Sequence, residues 1–169
     1  MPAPFAPPAN VAVSFTIERL TTEQDLSDVA ELEARCFTNP WTRDMLAREL
    51  AESDIAQVFI LRVSGNVAGF CLCWIILDEL HVNTMAVDVP YRRMGFGTHL
   101  MTAVMLEAAR RGATRATLEV RASNVAARKF YEALGFVVTA IRPRYYTQPE
   151  DDALIMWREG IIELVNPTF

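Results

Sequence analysis

Val89–Leu100 reads VPYRRMGFGTHL, with two arginines and two glycines directly ahead of an apolar stretch. Leu100, Met101, Val104, Met105 and Ala108 repeat at helical spacing, Arg110 and Arg111 suit the negative end of that helix, and Gly112 stops it. Glycines at a helix start let backbone N–H groups approach an anion, and the helix dipole adds about half a positive charge there. GFGTHL is therefore a candidate phosphate cradle. Arg92 and Arg93 just upstream can neutralise a pyrophosphate or ribose phosphate with charge-assisted hydrogen bonds. A bare GxG is also a common turn, and an arginine pair a common solvated loop, so the rest of the chain must decide.

Working outward from the loop, Val13 to Leu20 is predicted as a first strand, followed by a helix in TTEQDLSDVAELEARCF that opens on a threonine cap. Asn39-Pro40 breaks the chain and Thr42 caps a short second helix to about Ala51. AQVFILRV and VAGFCLCWIIL are separated by SGN, and ELHVNTMAV follows a turn near Leu77-Asp78-Glu79, which predicts a three-stranded antiparallel meander. Beyond the loop helix come a strand in TRATLEV, a helix in NVAARKFYEAL capped by Asn124 and closed by Gly135, and strands near VVTAIRPRYY and DALIMWRE. This order is an α/β domain on a mixed sheet with one parallel crossover. The domain is expected over 13–160, after a disordered Pro/Ala-rich leader at 1–12 and before a tail at 161–169.

The 169 residues suffice for one core without staples. A net charge of -5 gives no broad basic face, so nucleic acid is not an expected partner. No apolar run approaches the ~20 residues of a membrane-spanning helix, and MPAPFAPPAN lacks the basic start and apolar core of a secretory signal. Cys36, Cys71 and Cys73 are an odd set without CxxC, and only His81 and His99 could join them, so no metal is expected. Cys71 and Cys73, two apart in a strand, share one buried face. A reducing cytoplasm suits such a chain.

Two cofactor classes compete for the loop. A dinucleotide fold is the rival, because Glu119 ends the next strand about where a ribose-binding acid belongs. Against it, Asp88 to Met94 separate the first glycine from its strand, Leu100 stands where the third glycine should be, and the preceding strands read as antiparallel. Glu119 alternates with Leu118 and Val120, and a carboxylate there is either chemical or ion-paired with Arg121 or Arg115. Asn124 and Tyr131 are seven residues apart, hence on one helix face and roughly 10 Å apart along its axis. That suits an extended ligand, although a cap and a packed aromatic are the plainer roles. His81 reads either as facing the site or as a hydrogen-bonded strand residue, and His99 as a helix-surface residue.

These residues resemble the GNAT superfamily of N-acetyltransferases, whose acetyl-CoA loop runs Gln/Arg-x-x-Gly-x-Gly/Ala; here it is RRMGFG, Arg92 to Gly97. TMAVDVPYRRMGFG, LEVRASNVAARKFYEALGF, RPRYY, DDALIM and the loop CFTNPW are similar to the RimI-type branch of protein N-terminal acetyltransferases. The resemblance implies a mostly antiparallel seven-stranded sheet, flanked by about four helices, in which the parallel fourth and fifth strands splay to admit acetyl-CoA. Backbone groups of Met85, Ala86 and Val87 would hold the pantetheine and acetyl group. Amides of Met94, Gly95, Phe96, Gly97 and Thr98, with Arg92 and Arg93, would take the phosphates, and Asn124 would touch the pantetheine or a phosphate. Glu119 is implied as general base and Tyr131 as general acid, with Trp41, Arg142, Tyr145 and Tyr146 forming the peptide cleft. The implied acceptor is the N-terminal amine of a protein, a ribosomal protein beginning with alanine; a lysine or small-amine acetyltransferase and a non-catalytic acyl-CoA sensor are the alternatives. Thr84 replaces the asparagine of the family's NIAV, Pro90 comes one place late, and Thr147 follows the tyrosine pair instead of proline, departures that bear on the acceptor more than on the cofactor.

Overall fold

In the computed structural model, which describes residues 13–165, three of the four α-helices begin where a side chain meets a free N–H group and the fourth begins at a glycine. Thr22 caps α1 (Glu23–Cys36) by accepting from the Asp25 N–H, and Asp25 returns a bond to the Thr22 N–H. Thr42 caps α2 (Arg43–Glu52) by accepting from the Met45 N–H, and Asn124 caps α4 (Val125–Ala133) by accepting from the Ala127 N–H. Gly95 opens α3 (Phe96–Arg110) with a left-handed φ of 82° and no side-chain cap. The expected leader at 1–12 lies outside the described residues.

The strands are β1 (Phe15–Arg19), β2 (Ala56–Val63), β3 (Asn66–Ile76), β4 (Glu79–Val87), β5 (Arg115–Arg121), β6 (Val137–Thr147) and β7 (Glu150–Arg158). They form one seven-stranded sheet in the order β1-β2-β3-β4-β5-β7-β6, antiparallel everywhere except between β4 and β5. Period-two alternation sends Val58, Ile60, Phe70 and Leu72 to one face, against Leu26, Val29 and Leu32 of α1 and Leu46 of α2. Phe59, Leu61, Cys71, Cys73, Leu118 and Val120 face the other way, against Leu100, Met101, Val104 and Met105 of α3. Phe130, Tyr131 and Leu134 at the α4 end of the chain lean on that second core. Part of the segment expected as a tail belongs there too: Ile161–Leu164 is a 3-10 turn, and Ile161 is fully buried. No helix among the described residues is long and apolar enough to cross a membrane.

Two irregularities in the middle of the sheet create the site. The parallel pairing of β4 with β5 lasts only from Glu79↔Arg115 to Val82↔Leu118, after which the strands part. At the same level the β3–β4 register steps from Cys73↔Val82 to Leu72↔Thr84, leaving Asn83 as the extra residue of a β-bulge. The bulge reverses the alternation of β4: Leu80 and Val82 face α3 before it, and Met85 and Val87 do so after it. Thr84 and Ala86 thereby turn towards α1.

Candidate active site

The backbone of β4 past the bulge is aimed into the opening. Asp88 N–H donates to Ala68 O at 2.8 Å, which makes Ala68 and Asp88 a hydrogen-bonded pair and the neighbouring Gly69↔Val87 a non-bonded one. By the same alternation Cys71↔Met85 is non-bonded, so the N–H and C=O groups of Met85 and Val87 point away from β3, to the side that β5 has vacated. The Val87 C=O accepts from Arg92 Nε at 2.7 Å, and the remaining groups are an edge ready to pair with an extended ligand.

A cavity of about 530 Å³ opens there, lined by Met85, Ala86 and Val87 of β4, by Arg92, Arg93, Gly95, Gly97 and Thr98 of the glycine loop, and by Asn124, Phe130 and Tyr131 of α4. It gathers most of the residues expected to hold a cofactor. Because no side chain caps α3, the first-turn N–H groups of Phe96, Gly97 and Thr98 are left for an anion. Gly97 also keeps the cavity open, since a Cβ there would stand 3.3 Å from Phe130 Cε2 and 3.8 Å from Met85 Cε. Phe96 and Met94 can offer only backbone: the Phe96 ring is buried against Phe15 and Tyr91, and the half-exposed Met94 is not among the lining residues. Arg92 is partly committed, its Nε donating to Val87 O at 2.7 Å, which ties the loop to the end of β4. Asn124 both lines the cavity and caps its helix by accepting from Ala127 N–H at 3.1 Å.

Tyr131 sits at the inner end between the rings of Phe130 and Phe136. Burial, then the nearby Cys71 and Tyr146, push its phenol well above the ordinary tyrosine value, so it keeps its proton.

A second cavity of about 580 Å³ lies on the face of the sheet that Leu118 and Val120 turn away from, lined by Trp74, His81, Asn83, Glu119, Arg142, Tyr145, Tyr146 and Trp157 among others. Of the expected peptide-cleft residues Arg142, Tyr145 and Tyr146 are here. Trp41 is not: it packs on the α1–α2 core and donates its backbone N–H to Glu33 at 3.1 Å. Glu119 is ion-paired, but with Arg142 at 2.7 Å. Arg121 instead stacks over the Tyr146 ring at 4.0 Å, and Arg115 binds Glu79 at 2.6 Å. Burial, then the neighbouring Glu119 charge, raise the Tyr146 phenol. His81 faces this cavity and is also held, by Glu79 at 2.7 Å.

Glu33 and Asn83 were not singled out from the sequence, and Cys36 was read there without a place in the site. Cys36 lines the first cavity with Arg92 Nη2 at 3.6 Å. Glu33 is buried beneath β4, accepting from Thr84 Oγ1 at 3.2 Å as well as from Trp41. Burial raises its carboxyl, and the Trp41 and Thr84 bonds draw it partly back. Asn83 is the bulge residue, and its signal was readable: the apolar spacing Leu80, Val82, Met85, Val87 skips a beat.

A sheet whose one pair of parallel neighbours parts beside a glycine-opened helix is the arrangement that the resemblance to N-acetyltransferases implies. The chain belongs to the Acetyltransferase (GNAT) family, which it matches over residues 26–136, and it is an acetyltransferase. It is 38% identical to the ribosomal protein bS18-alanine N-acetyltransferase of Escherichia coli K12 over 143 residues, covering 83% of this chain and 95% of that one. The crystal structure of the Escherichia coli ribosomal-protein-S18-alanine N-acetyltransferase superposes with a TM-score of 0.79 at 35% identity, covering 87% of this chain and 94% of that chain. Ard1 from Thermoplasma volcanium superposes with a TM-score of 0.76 at 32% identity, covering 88% and 99%.

Proposed function

We propose that this chain transfers acetyl from acetyl-CoA to the N-terminal α-amino group of a protein, a ribosomal protein beginning with alanine, by direct attack within a ternary complex in the cytoplasm. One observation carries this reading: two cavities reach the parting of β4 and β5, one lined by β4 backbone turned away from β3 and an uncapped helix start, the other by the Glu119 carboxylate beside Arg142. The names of the Escherichia coli relatives support the acceptor.

In the first cavity the α3 amides with Arg93 hold the diphosphate, and Met85 and Val87 pair with the pantetheine as a neighbouring strand would. Asn124 borders the same arm. The Val87 N–H receives the oxyanion that develops as the amine adds to the thioester carbon. In the second cavity Tyr145, Tyr146 and Arg142 hold the acceptor backbone. Glu119, through a water, takes the proton the ammonium must lose; the N–C bond forms, the C–S bond breaks, Tyr131 gives its proton to the departing sulfur, and the second proton of the acylated nitrogen restores the Tyr131 phenol. A chain N-terminus titrates near ~8 and lysine near ~10.4, so a carboxylate base favours the former.

The test is turnover of an alanine-initiated peptide against its N-blocked, lysine-containing counterpart, with wild type and Glu119→Gln. We expect α-amine acetylation that falls about 10²–10⁴-fold in the variant. Acetylation confined to lysine, or acetyl-CoA binding with no turnover across a broad acceptor panel, refutes the reading.

A further inference from the structure

We propose that Asn83 is a specificity-determining residue, whose side-chain amide donates to the first carbonyl of the acceptor and so distinguishes a peptide N-terminus from a simple amine. This rests on the N-terminal acetyltransferase reading above. Asn83 is the extra residue of the β4 bulge and stands one step past Val82↔Leu118, the last pair before the strands part. It thus lies at the crotch of the opening, level with Glu119, the next residue of β5, and both line the second cavity. Bulges re-aim a side chain, and here the re-aimed one is polar.

Its amide nitrogen is enclosed and has no hydrogen-bond partner. Apart from the Tyr145 and Tyr146 hydroxyls assigned above to the acceptor backbone, several polar groups around the cavity are engaged. His81 is bonded to Glu79 at 2.7 Å, Glu119 to Arg142 at 2.7 Å, Thr117 Oγ1 to Met156 O at 3.1 Å, and Trp74 Nε1 to Glu49 at 2.7 Å. An enclosed NH₂ without an acceptor is unfavourable, and an oxygen brought into the cavity by the acceptor would satisfy it. The Cβ–Cγ torsion of asparagine is broad, so a half-turn carries the nitrogen to the cavity side.

The acceptor supplies that oxygen in one place. With its amine between Glu119 and the thioester, the nearest oxygen of a peptide is the carbonyl two bonds away, on the first residue. Lysine side chains and alkylamines have only methylene there. A site with a donor waiting for an oxygen rejects a molecule that lacks one, because the donor then stays buried and unpaired.

The experiment is a two-by-two comparison: wild type and Asn83→Leu, each with an alanine-initiated peptide and with the same peptide whose first amide is replaced by a trans-alkene. Asn83→Leu removes the donor without leaving an unpaired one. We expect kcat/KM for the amide peptide to fall roughly tenfold to a hundredfold, chiefly through KM, and kcat/KM for the alkene peptide to change less than about twofold. Asn83→Asp, of the same shape but without the donor, should likewise lose rate on the amide peptide only. Acetyl-CoA is expected to raise the melting temperature of both variants and of wild type by equal amounts, which reports an intact first cavity. Equal losses on both acceptors, or no loss on the amide peptide, overturn the proposal. A wild type that leaves both acceptors untouched removes the N-terminal reading and this inference with it, whereas active wild type without the differential loss removes the inference alone.

Discussion

Gly69→Ala puts the geometry of the opening to the test without touching a group assigned to the chemistry. Gly69 lies on β3 opposite Val87. A Cβ at that position would stand 2.9 Å from the Ala86 carbonyl oxygen, 3.3 Å from Leu61 Cδ2 and 3.4 Å from Val87 Cγ2. The nearest of these atoms is backbone and cannot rotate away, so β4 has to move by some tenths of an ångström. Overpacking of this kind costs about 1–3 kcal/mol, and alanine recovers roughly 0.5–1 kcal/mol through its smaller loss of backbone freedom, leaving about 0–2.5 kcal/mol and centred near 1 kcal/mol. For a chain of this size that lowers Tm by up to roughly 10 °C, and by about 2–4 °C at the centre of the range. The strand that moves is the one whose Met85 and Val87 N–H groups face the opening, so kcat/KM for acetyl-CoA should fall about tenfold or more. The assay pairs thermal melting, with and without acetyl-CoA, against steady-state turnover of one peptide. Wild-type Tm and wild-type turnover would refute the close contact itself. A lowered Tm with unchanged turnover would refute the placement of the reacting groups on this stretch of β4.

Tyr131→Phe should reduce kcat by about 10²-fold while leaving KM for acetyl-CoA within a few-fold, measured by steady-state kinetics, because the ring packing against Phe130 and Phe136 survives and only the proton donor is lost. Since burial raises that phenol, wild-type activity should show no alkaline decline from Tyr131 between pH 7 and about 10; a loss with an apparent pKa near the ordinary ~10, absent from a control reaction that needs no general acid, contradicts its role. Glu33 carries a carboxyl raised above 4.5 by burial, so between 4.5 and its folded value the native chain holds a proton that the unfolded chain has released, and stability falls as pH rises through that window. Urea midpoints of Glu33→Gln followed across that range should lack this part of the slope and be no lower than wild type above it; an unchanged slope would show that the buried carboxyl is not its source.

Element order was legible in the sequence because its signals are local. Thr22, Thr42 and Asn124 cap helices through N–H groups three residues on, and Gly95 opens α3 through its own φ. The meander of β2, β3 and β4 followed from turn residues a few positions from the strands they join. The bulge was half legible, as a missed beat in the apolar spacing of β4, but which neighbour lost its pairing was not. The plainer readings of Asn124 and His81 turned out compatible with the functional ones, since each makes a local bond and lines a cavity as well.

The sequence by itself determined the helices, the alternation of the strands and the glycine loop, because each depends on residues within one or two turns of chain. Tertiary structure alone decided the partners. Arg142 on β6 reaches Glu119 across β7, ahead of the nearer Arg121 and Arg115; Glu33 meets Thr84 from another layer; Trp41 goes to the α1–α2 core instead of the cleft; and Ile161 docks beneath α3. Which charges meet across a sheet depends on strand order and register, and those are set by burial summed over the whole chain, a quantity that no short stretch of residues contains.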